Sequence, residues 1–591
     1  MLRACLGPAA LARTCLRTRT SSLLHHQHRP RWHSTTSPSA SERKPRLLLG
    51  LVGGTAVLAT SIIYADSVNA DPAADSLPAL FRAYAVYSMC SIPAIVDNAP
   101  ALLRLADLPI PGARWLIQSL VRVTFFDQFV GGDTAQDALP VIARLRAGNK
   151  GTLLVYSVEV DEAEAMAGAS SSTSPHERIV DEIVRCVDAA ADFEDSLEAE
   201  VRTTSVAVKL SALIPDAHIL VKLSKYLLTT RPPTPTPVPF PGSPHDSDLD
   251  ILSSPIPPTP DLTPTDLAAL RILHMALRRI CAHAAARRVR VIFDAEYSWY
   301  QPAIDALTHA LSREFNAAGQ PLVYATYQAY LRRTPAQLAQ ALADAQAGGY
   351  ALGIKLVRGA YHPYEVSAHA VASDSTTAAH RSSTSISPDP LPPVWLTKND
   401  TDACYDDCAR MVLRAVADDL RCQVVDPRSS RPGPTAAAPP YWTSWWSSSP
   451  ASPEEKGTQD KAAAPSVAVL FGTHNWASCC LVLDELVRTG LARSDTDKVY
   501  IPDAVTSRVA VGQLYGMCDD LTDDLAQRTV CSAPFVVKYL PYGALGEVMP
   551  YLSRRALENR SVLGEGGAAR ERARAGREIW ARVRGMLRLD R

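Results

Sequence analysis

The chain carries few of the marks that identify common nucleotide, metal and secreted proteins. It has no G-x-x-x-x-G-K-[ST] phosphate loop and no G-x-G-x-x-G placed after a strand, so neither nucleotide hydrolysis nor a Rossmann-type cofactor site is supported. Its 12 cysteines form no C-x-x-C pair and no Cys/His zinc spacing. A chain this long needs no disulfide staples, so they read as reduced thiols. Charge of one sign is missing as well: 60 basic and 61 acidic residues leave a net charge of −1. No global field steers the protein toward nucleic acid.

Acidic residues are also absent before Glu42, whereas Arg3, Arg13, Arg17, Arg19, Arg29 and Arg31 lie among Ser, Thr, Leu and Ala. This composition matches a mitochondrial transit peptide over residues 1–46, with a merely basic disordered tail as the alternative. Leu47 to Tyr64 is uncharged and reaches the lower length limit of a membrane span. An inner-membrane anchor and a discarded part of the targeting segment are both open.

What is present is an alternation. Apolar runs rich in Val, Ile and Tyr occur near residues 151–158, 204–212, 289–296, 323–330, 350–358, 466–473, 509–516 and 535–541. Helix-like stretches follow most of them, for example Thr334 to Ala347, Thr401 to Leu420 and Ala477 to Leu491. Apolar strands alternating with helices predict a parallel sheet covered by helices, and eight units predict a (βα)8 barrel over residues 151–591. Residues 76–150 read as a helical subdomain. Three stretches, about 229–264, 366–397 and 426–465, are dense in Pro, Ser and Thr and read as surface insertions. Asp246, Asp248 and Asp250 in the first mimic a calcium-loop spacing without the required glycine and terminal Glu.

Polar residues recur at the C-terminal ends of the expected strands, where a barrel of this kind places its active site. They are Lys209, then Asp294 and Glu296, then Gln328, then Arg358-Gly359-Ala360-Tyr361, then Thr473-His474-Asn475, with Tyr539 in the last strand. Singly, a strand lysine is commonly a structural ion-pair member, and a lone histidine is commonly a satisfied core residue. Directly after the last strand, Pro550-Tyr551-Leu552-Ser553-Arg554-Arg555-Ala556-Leu557-Glu558-Asn559 sets two guanidinium groups side by side. Two planar forks of donors can clamp both oxygens of a small acid. Glu558, one turn on, can hold one of them still. Leu545, Val548, Met549, Leu552 and Ala556 recur at helical intervals as a buried stripe, and Pro550 marks a kink or the first turn. The whole set favours an anionic, phosphate-bearing cofactor together with a carboxylate substrate.

These blocks closely resemble the proline dehydrogenase (proline oxidase) family in its mitochondrial eukaryotic form. The likeness runs through Val206 to Leu213, Asp294-Ala295-Glu296, Thr326 to Leu331, Leu356 to Tyr361, Gly472 to Asn475, Gln513 to Asp519 and Tyr551 to Asn559, with Leu102 to Asp107 upstream. The resemblance implies a distorted (βα)8 barrel holding FAD. It implies oxidation of L-proline to Δ1-pyrroline-5-carboxylate, with electrons passed to a membrane quinone at the inner mitochondrial membrane or its matrix face. It also implies roles. Arg554, Arg555 and Lys209 would pair with the proline carboxylate, and Tyr539 would pack on the ring. Arg358, with Gly359 and Ala360, would lie at the flavin edge, and Gln328 would bond the ring system. His474 and Asn475 would hold the ribityl or pyrophosphate portion, Asp294 and Glu296 would orient the basic groups, and Glu558 would belong to the cofactor site. Family members often carry a tyrosine where this chain has Leu521-Thr522, so no substrate contact is expected there. The resemblance also implies an acidic gate after the first strand, for which Glu159, Asp161 and Glu162 are the candidates.

Three alternatives stand beside this reading. One is a hydroxyproline dehydrogenase of the same fold, since an added hydroxyl is poorly rejected by an apolar wall. Another is a metal-dependent barrel using Asp294, Glu296 and His474, which Lys209 and the two arginines oppose. The third is a catalytically silent, membrane-associated proline-binding barrel.

Overall fold

The computed structural model describes residues 75–92, 113–158, 175–197, 201–233, 236–253, 261–317, 319–373, 385–425, 466–561 and 567–586. The basic N-terminal segment, Leu47 to Tyr64, Leu102 to Asp107, the three gate candidates and the third proline-rich stretch lie outside them. Strand β1 spans Lys150–Tyr156, β2 Thr204–Val208, β3 Val291–Phe293 and β4 Val323–Gln328. Strand β5 spans Leu352–Val357, β6 Val467–Gly472, β7 Val509–Leu514 and β8 Val536–Tyr542. Each pairs in parallel with the next, and β8 returns to β1 with Lys150 opposite Val536 and Tyr156 opposite Tyr542, which closes the barrel.

Period-two alternation explains the filling. Leu153, Val155, Ile292, Tyr324, Leu470 and Val537 point into the lumen, and the intervening residues meet the surrounding helices, so the strands are apolar on both faces. Gly353 is required in β5 because a Cβ there would lie 2.5 Å from the Val323 carbonyl oxygen. All eight anticipated runs form strands. Most stop short of their expected C-terminal ends, which leaves Lys209, Asp294, Glu296, Arg358 and Thr473 on the loops just beyond.

Helices Thr334–Gly348, Lys398–Val425 and Trp476–Arg488 fall where the periodicity placed them. Among the described residues before β1 are helices Leu77–Cys90, Ala113–Val121, continued by a π turn over Arg122–Phe126, and Ala135–Ala147. The last is capped reciprocally by Thr134 and Asp137. Tyr87 and Gln128 both donate to the carbonyl of Gly516 beyond β7. Gly516 has φ +71°, and a Cβ there would come within 2.0 Å of the Gln128 carbonyl oxygen, so only glycine permits this approach. On the outer face of β8, buried Lys538 pairs with Asp519 at 2.8 Å, and Asp519 pairs with Arg574 of helix Gly567–Met586 at 3.3 Å. Burial alone would raise the Asp519 carboxyl, but Lys538 and Arg574 outweigh it and hold the group well below the usual range.

Two proline-rich stretches depart from their reading as surface insertions. In the first, Phe240 and Ile251 are buried, Asp248 pairs with Arg231 at 2.6 Å, and Asp246 binds His309 and Arg313. Asp246 and Asp248 are ion-pair partners, and among the described residues no cluster could hold a metal ion. In the second, 366–373 completes helix His362–Ser373, and Val394 is buried in a bridge to Leu331. A few buried apolar side chains and charge pairs suffice to fix a stretch whose composition alone suggested none. A small sheet of Arg493–Asp495, Lys498–Tyr500 and Thr529–Val530 was not anticipated.

Arg333, 2% exposed, donates to Asp305 at 2.7 Å and to the carbonyl of Gly242, so it ties the first stretch to the barrel helices. Asp305→Ala leaves that guanidinium buried without its carboxylate and is expected to lower unfolding free energy by about 3–5 kcal/mol, read from urea unfolding. An unchanged midpoint would show that the pair holds nothing together.

Candidate active site

The C-terminal ends of the strands bring the anticipated polar residues to one mouth. Asp294, just past β3, accepts from the Tyr539 hydroxyl of β8 at 2.8 Å and from Lys355 of β5, and the Lys355 ammonium sits 4.9 Å from the centre of the Tyr539 ring. Lys355 was missed by the sequence reading, which looked only for polar residues at strand ends. Its signal was there: in Leu352-Gly353-Ile354-Lys355-Leu356 a charge occupies an inward position of an otherwise apolar strand.

Glu296 accepts from the backbone N–H of Ser211 at 3.0 Å and from its hydroxyl, and Lys209 acts on it electrostatically. Burial pushes the Glu296 carboxyl up, against the opposing pull of Lys209 and Ser211. The side-chain amide of Gln328 donates to the Glu296 carbonyl at 2.8 Å.

Arg358 is held on three sides. It donates to Asp402 at 2.7 Å, to Ser478 at 2.7 Å and to Thr473, and lies over the Tyr405 ring at 4.2 Å. Asp402 and Tyr405 come from the Lys398–Val425 helix and carried no sequence signal, because that helix follows a stretch read as an insertion. Gly359 adopts φ +115°, and a Cβ there would strike the Tyr330 ring at 2.5 Å, so the loop passes flat against that aromatic face. Ala360 is exposed beside it. Asn475 caps the Trp476–Arg488 helix, its side chain accepting from the N–H of Ala477 at 3.0 Å.

Pro550 is the second residue of helix Met549–Ser561, so it marks the first turn rather than a kink. Val548, Leu552 and Ala556 are buried as anticipated, with Leu545 and Met549 packed partly buried against the same core. Arg555, 4% exposed, donates to Glu558 at 2.5 Å and lies over the Tyr551 ring at 4.7 Å. Arg554 lies over the Tyr361 ring at 5.6 Å, and Tyr361 in turn packs 4.3 Å from Tyr297 beyond β3. Glu558, expected in the cofactor site, is engaged by Arg555 within its own helix.

The His474 ring accepts the Leu514 N–H through Nε2 at 3.0 Å. Burial, reinforced by the positive charges of Lys538 and Arg555, pushes its pKa down to about 3. The ring is therefore neutral in the folded protein.

This is a closed (βα)8 barrel whose mouth sets two neighbouring arginines and two lysines around buried carboxylates, the layout of a barrel enzyme. The chain belongs to the proline dehydrogenase family, whose model matches residues 145–566, and it is an oxidoreductase of that family. It is 28% identical over 508 residues to the hydroxyproline dehydrogenase of Mus musculus, covering 86% of this chain and 91% of that one. It is 27% identical over 502 residues to the mitochondrial proline dehydrogenase 1 of Arabidopsis thaliana, covering 83% and 81%. Among solved structures it is similar to proline utilization A of Bdellovibrio bacteriovorus at TM-score 0.49 and 17% identity, covering 84% of this chain and 38% of that chain's length.

The state of His474 gives a pH prediction. Its folded pKa lies below the ordinary 6.5, so its contribution to stability is complete above 6.5 and is lost as pH falls toward about 3, because only the unfolded chain takes up the proton. Urea unfolding below neutral pH should show a steeper loss in the native chain than in His474→Gln. Equal slopes would mean that the ring is protonated in the fold.

Proposed function

We propose that the protein is an FAD-dependent mitochondrial dehydrogenase that oxidises L-proline to Δ1-pyrroline-5-carboxylate and delivers electrons to a membrane quinone. The observation that supports this reading is the mouth itself: adjacent Arg554 and Arg555, and a separate Asp294–Lys355–Tyr539 cluster. Paired guanidinium forks suit a carboxylate, and an aromatic side wall suits a five-membered ring.

The donor set fits a flavin dinucleotide. Arg358 has three of its five N–H groups engaged by protein, which leaves donors for a ring edge. The backbone at Gly359 has room only without a side chain, and the Trp476–Arg488 helix starts at the end of β6, where its N-terminus favours phosphate. Arg358, Gly359, Ala360, Gln328, His474, Asn475 and Glu296 would hold the cofactor, which supplies a hydride acceptor when bound.

The chain's own residues bind and orient. Arg555, kept in one rotamer by Glu558 and Tyr551, and Arg554, against Tyr361, fix the two carboxylate oxygens, and Lys209 completes the pairing. The Tyr539 ring, pinned through its hydroxyl to Asp294, sets the plane of the substrate ring. The reaction removes a hydride from the ring carbon beside nitrogen and a proton from nitrogen, forming the C=N bond, and so requires the neutral amine. Nearby Lys209, Lys355 and the arginines disfavour an ammonium ion and promote that deprotonation. Positioning of this kind is where the protein contributes to rate.

Hydroxyproline is the second reading, supported by the 28% identity to hydroxyproline dehydrogenases. The Tyr539 hydroxyl donates its proton to Asp294 and keeps its lone pairs as acceptors, so the wall does not by itself reject a ring hydroxyl. Anaerobic L-proline is expected to bleach the flavin absorption bands of the purified chain. Bleaching by hydroxyproline alone would move the substrate, and a colourless chain that takes up no FAD would overturn the proposal.

Arg555→Met should lower kcat/KM for proline by about 2–5 kcal/mol of transition-state stabilisation, as for truncation of a buried charge partner. Steady-state kinetics near the native value would remove Arg555 from the carboxylate clamp.

A further inference from the structure

Two helices before β1 turn the wrong face outward. Along Ala113–Val121 and its π continuation, Trp115, Leu116, Leu120 and Val123 are 58–73% exposed. Arg122, within this stretch, pairs with Asp133 at 2.6 Å. On Leu77–Cys90 the outward positions include Phe81 and Tyr84, while Leu77, Leu80, Val86 and Tyr87 face the protein. An outward stripe this apolar exceeds what scattered surface side chains explain.

The third component is helix Gly567–Met586, which packs along Leu77–Cys90. The Tyr84 ring lies 3.4 Å from the place a Cβ would take on Gly576, one turn before Trp580, which is 61% exposed. The inner face of this helix is anchored by Ala568, Glu571 and Ala575. Its outer face presents Arg570, Arg577 and Arg584, spaced every second turn beside Trp580, while outward Glu578 is held by Arg582 at 2.9 Å. Exposed tryptophan and aliphatic side chains flanked by arginine are the composition of a helix that lies in a headgroup layer.

We infer that these three helices form a docking surface for an anionic lipid bilayer. The apolar side chains enter the acyl boundary and the arginines pair with lipid phosphates. The inference rests on the proposed function only in giving a reason for contact, namely a quinone acceptor dissolved in the membrane. The surface itself stands on exposure and charge. Among the described residues no helix is long and apolar enough to cross a membrane, so contact through these helices is peripheral.

The test is flotation of the full chain with vesicles of phosphatidylcholine and phosphatidylglycerol in equal parts, and with phosphatidylcholine alone. The native chain should float with the mixed vesicles and far less with the neutral ones. Arg570→Gln/Arg577→Gln/Arg584→Gln should lower partitioning about a hundredfold, at about fivefold per arginine. Trp115→Ser/Leu120→Ser/Trp580→Ser should also abolish flotation. Both variants lie away from the barrel mouth and should reduce a soluble dye with proline at the native rate, which also shows that they are folded. Flotation that is equal in all three chains overturns the inference. So does a dimer that the serine variant dissociates in light scattering while no chain floats, since a second copy would then cover the face. A chain that floats but reduces no dye leaves the surface standing and overturns the proposed function.

Discussion

Like charges crowded in a weakly polarisable cavity repel, and everything at the barrel mouth is arranged around that fact. Lys209, Lys355, Arg358, Arg554 and Arg555 all reach the ends of the strands. They can coexist there because carboxylates are placed among them: Asp294 on Lys355, Asp402 on Arg358, Glu558 on Arg555, and Glu296 within electrostatic reach of Lys209. Burial, with help from the positive charges of Lys538 and Arg555, keeps His474 neutral, which preserves its bond to the Leu514 N–H. A site assembled from paired charges is stiff, because moving one member exposes another.

That stiffness depends on elements distant in sequence. The barrel supplies the strand ends, but Arg554 and Arg555 ride on a helix beyond it, where buried Val548, Tyr551 and Leu552 belong to the same apolar core as the Leu77–Cys90 helix. The Lys538–Asp519–Arg574 chain of charges runs from the outside of β8 to helix Gly567–Met586. The tight contact at Gly516 locks the upstream helices to the loop after β7. The mouth is therefore framed from both ends of the chain.

Much of this was legible in the residues. Apolar runs marked all eight strands because a barrel strand is buried on both faces, and the Arg554-Arg555 pair was visible because it directly follows the last strand, with Glu558 one turn on. Lys355 was hidden by the same rule that found the strands, since a lysine inside an apolar run looks like an interruption until its inward register is counted. Asp402 and Tyr405 reach Arg358 from a helix that only the fold places next to β6. The small sheet escaped notice because Arg493, Ser494 and Asp495 are all exposed and leave no apolar trace. The proline-rich stretches misled because composition averages over a segment, whereas Phe240, Ile251 and Val394 act individually.

Barrel closure has a consequence for the order in which the chain is made. The hydrogen-bonding edge of β1 is satisfied on one side by β2, but on the other only by β8, the last strand to be synthesised. Until β8 has emerged, the growing chain carries an open sheet edge at each end and lacks Arg554 and Arg555, which come later still. An incomplete chain is thus both prone to sticking and inert. The enzyme comes into being in a single closing event near the end of its own synthesis.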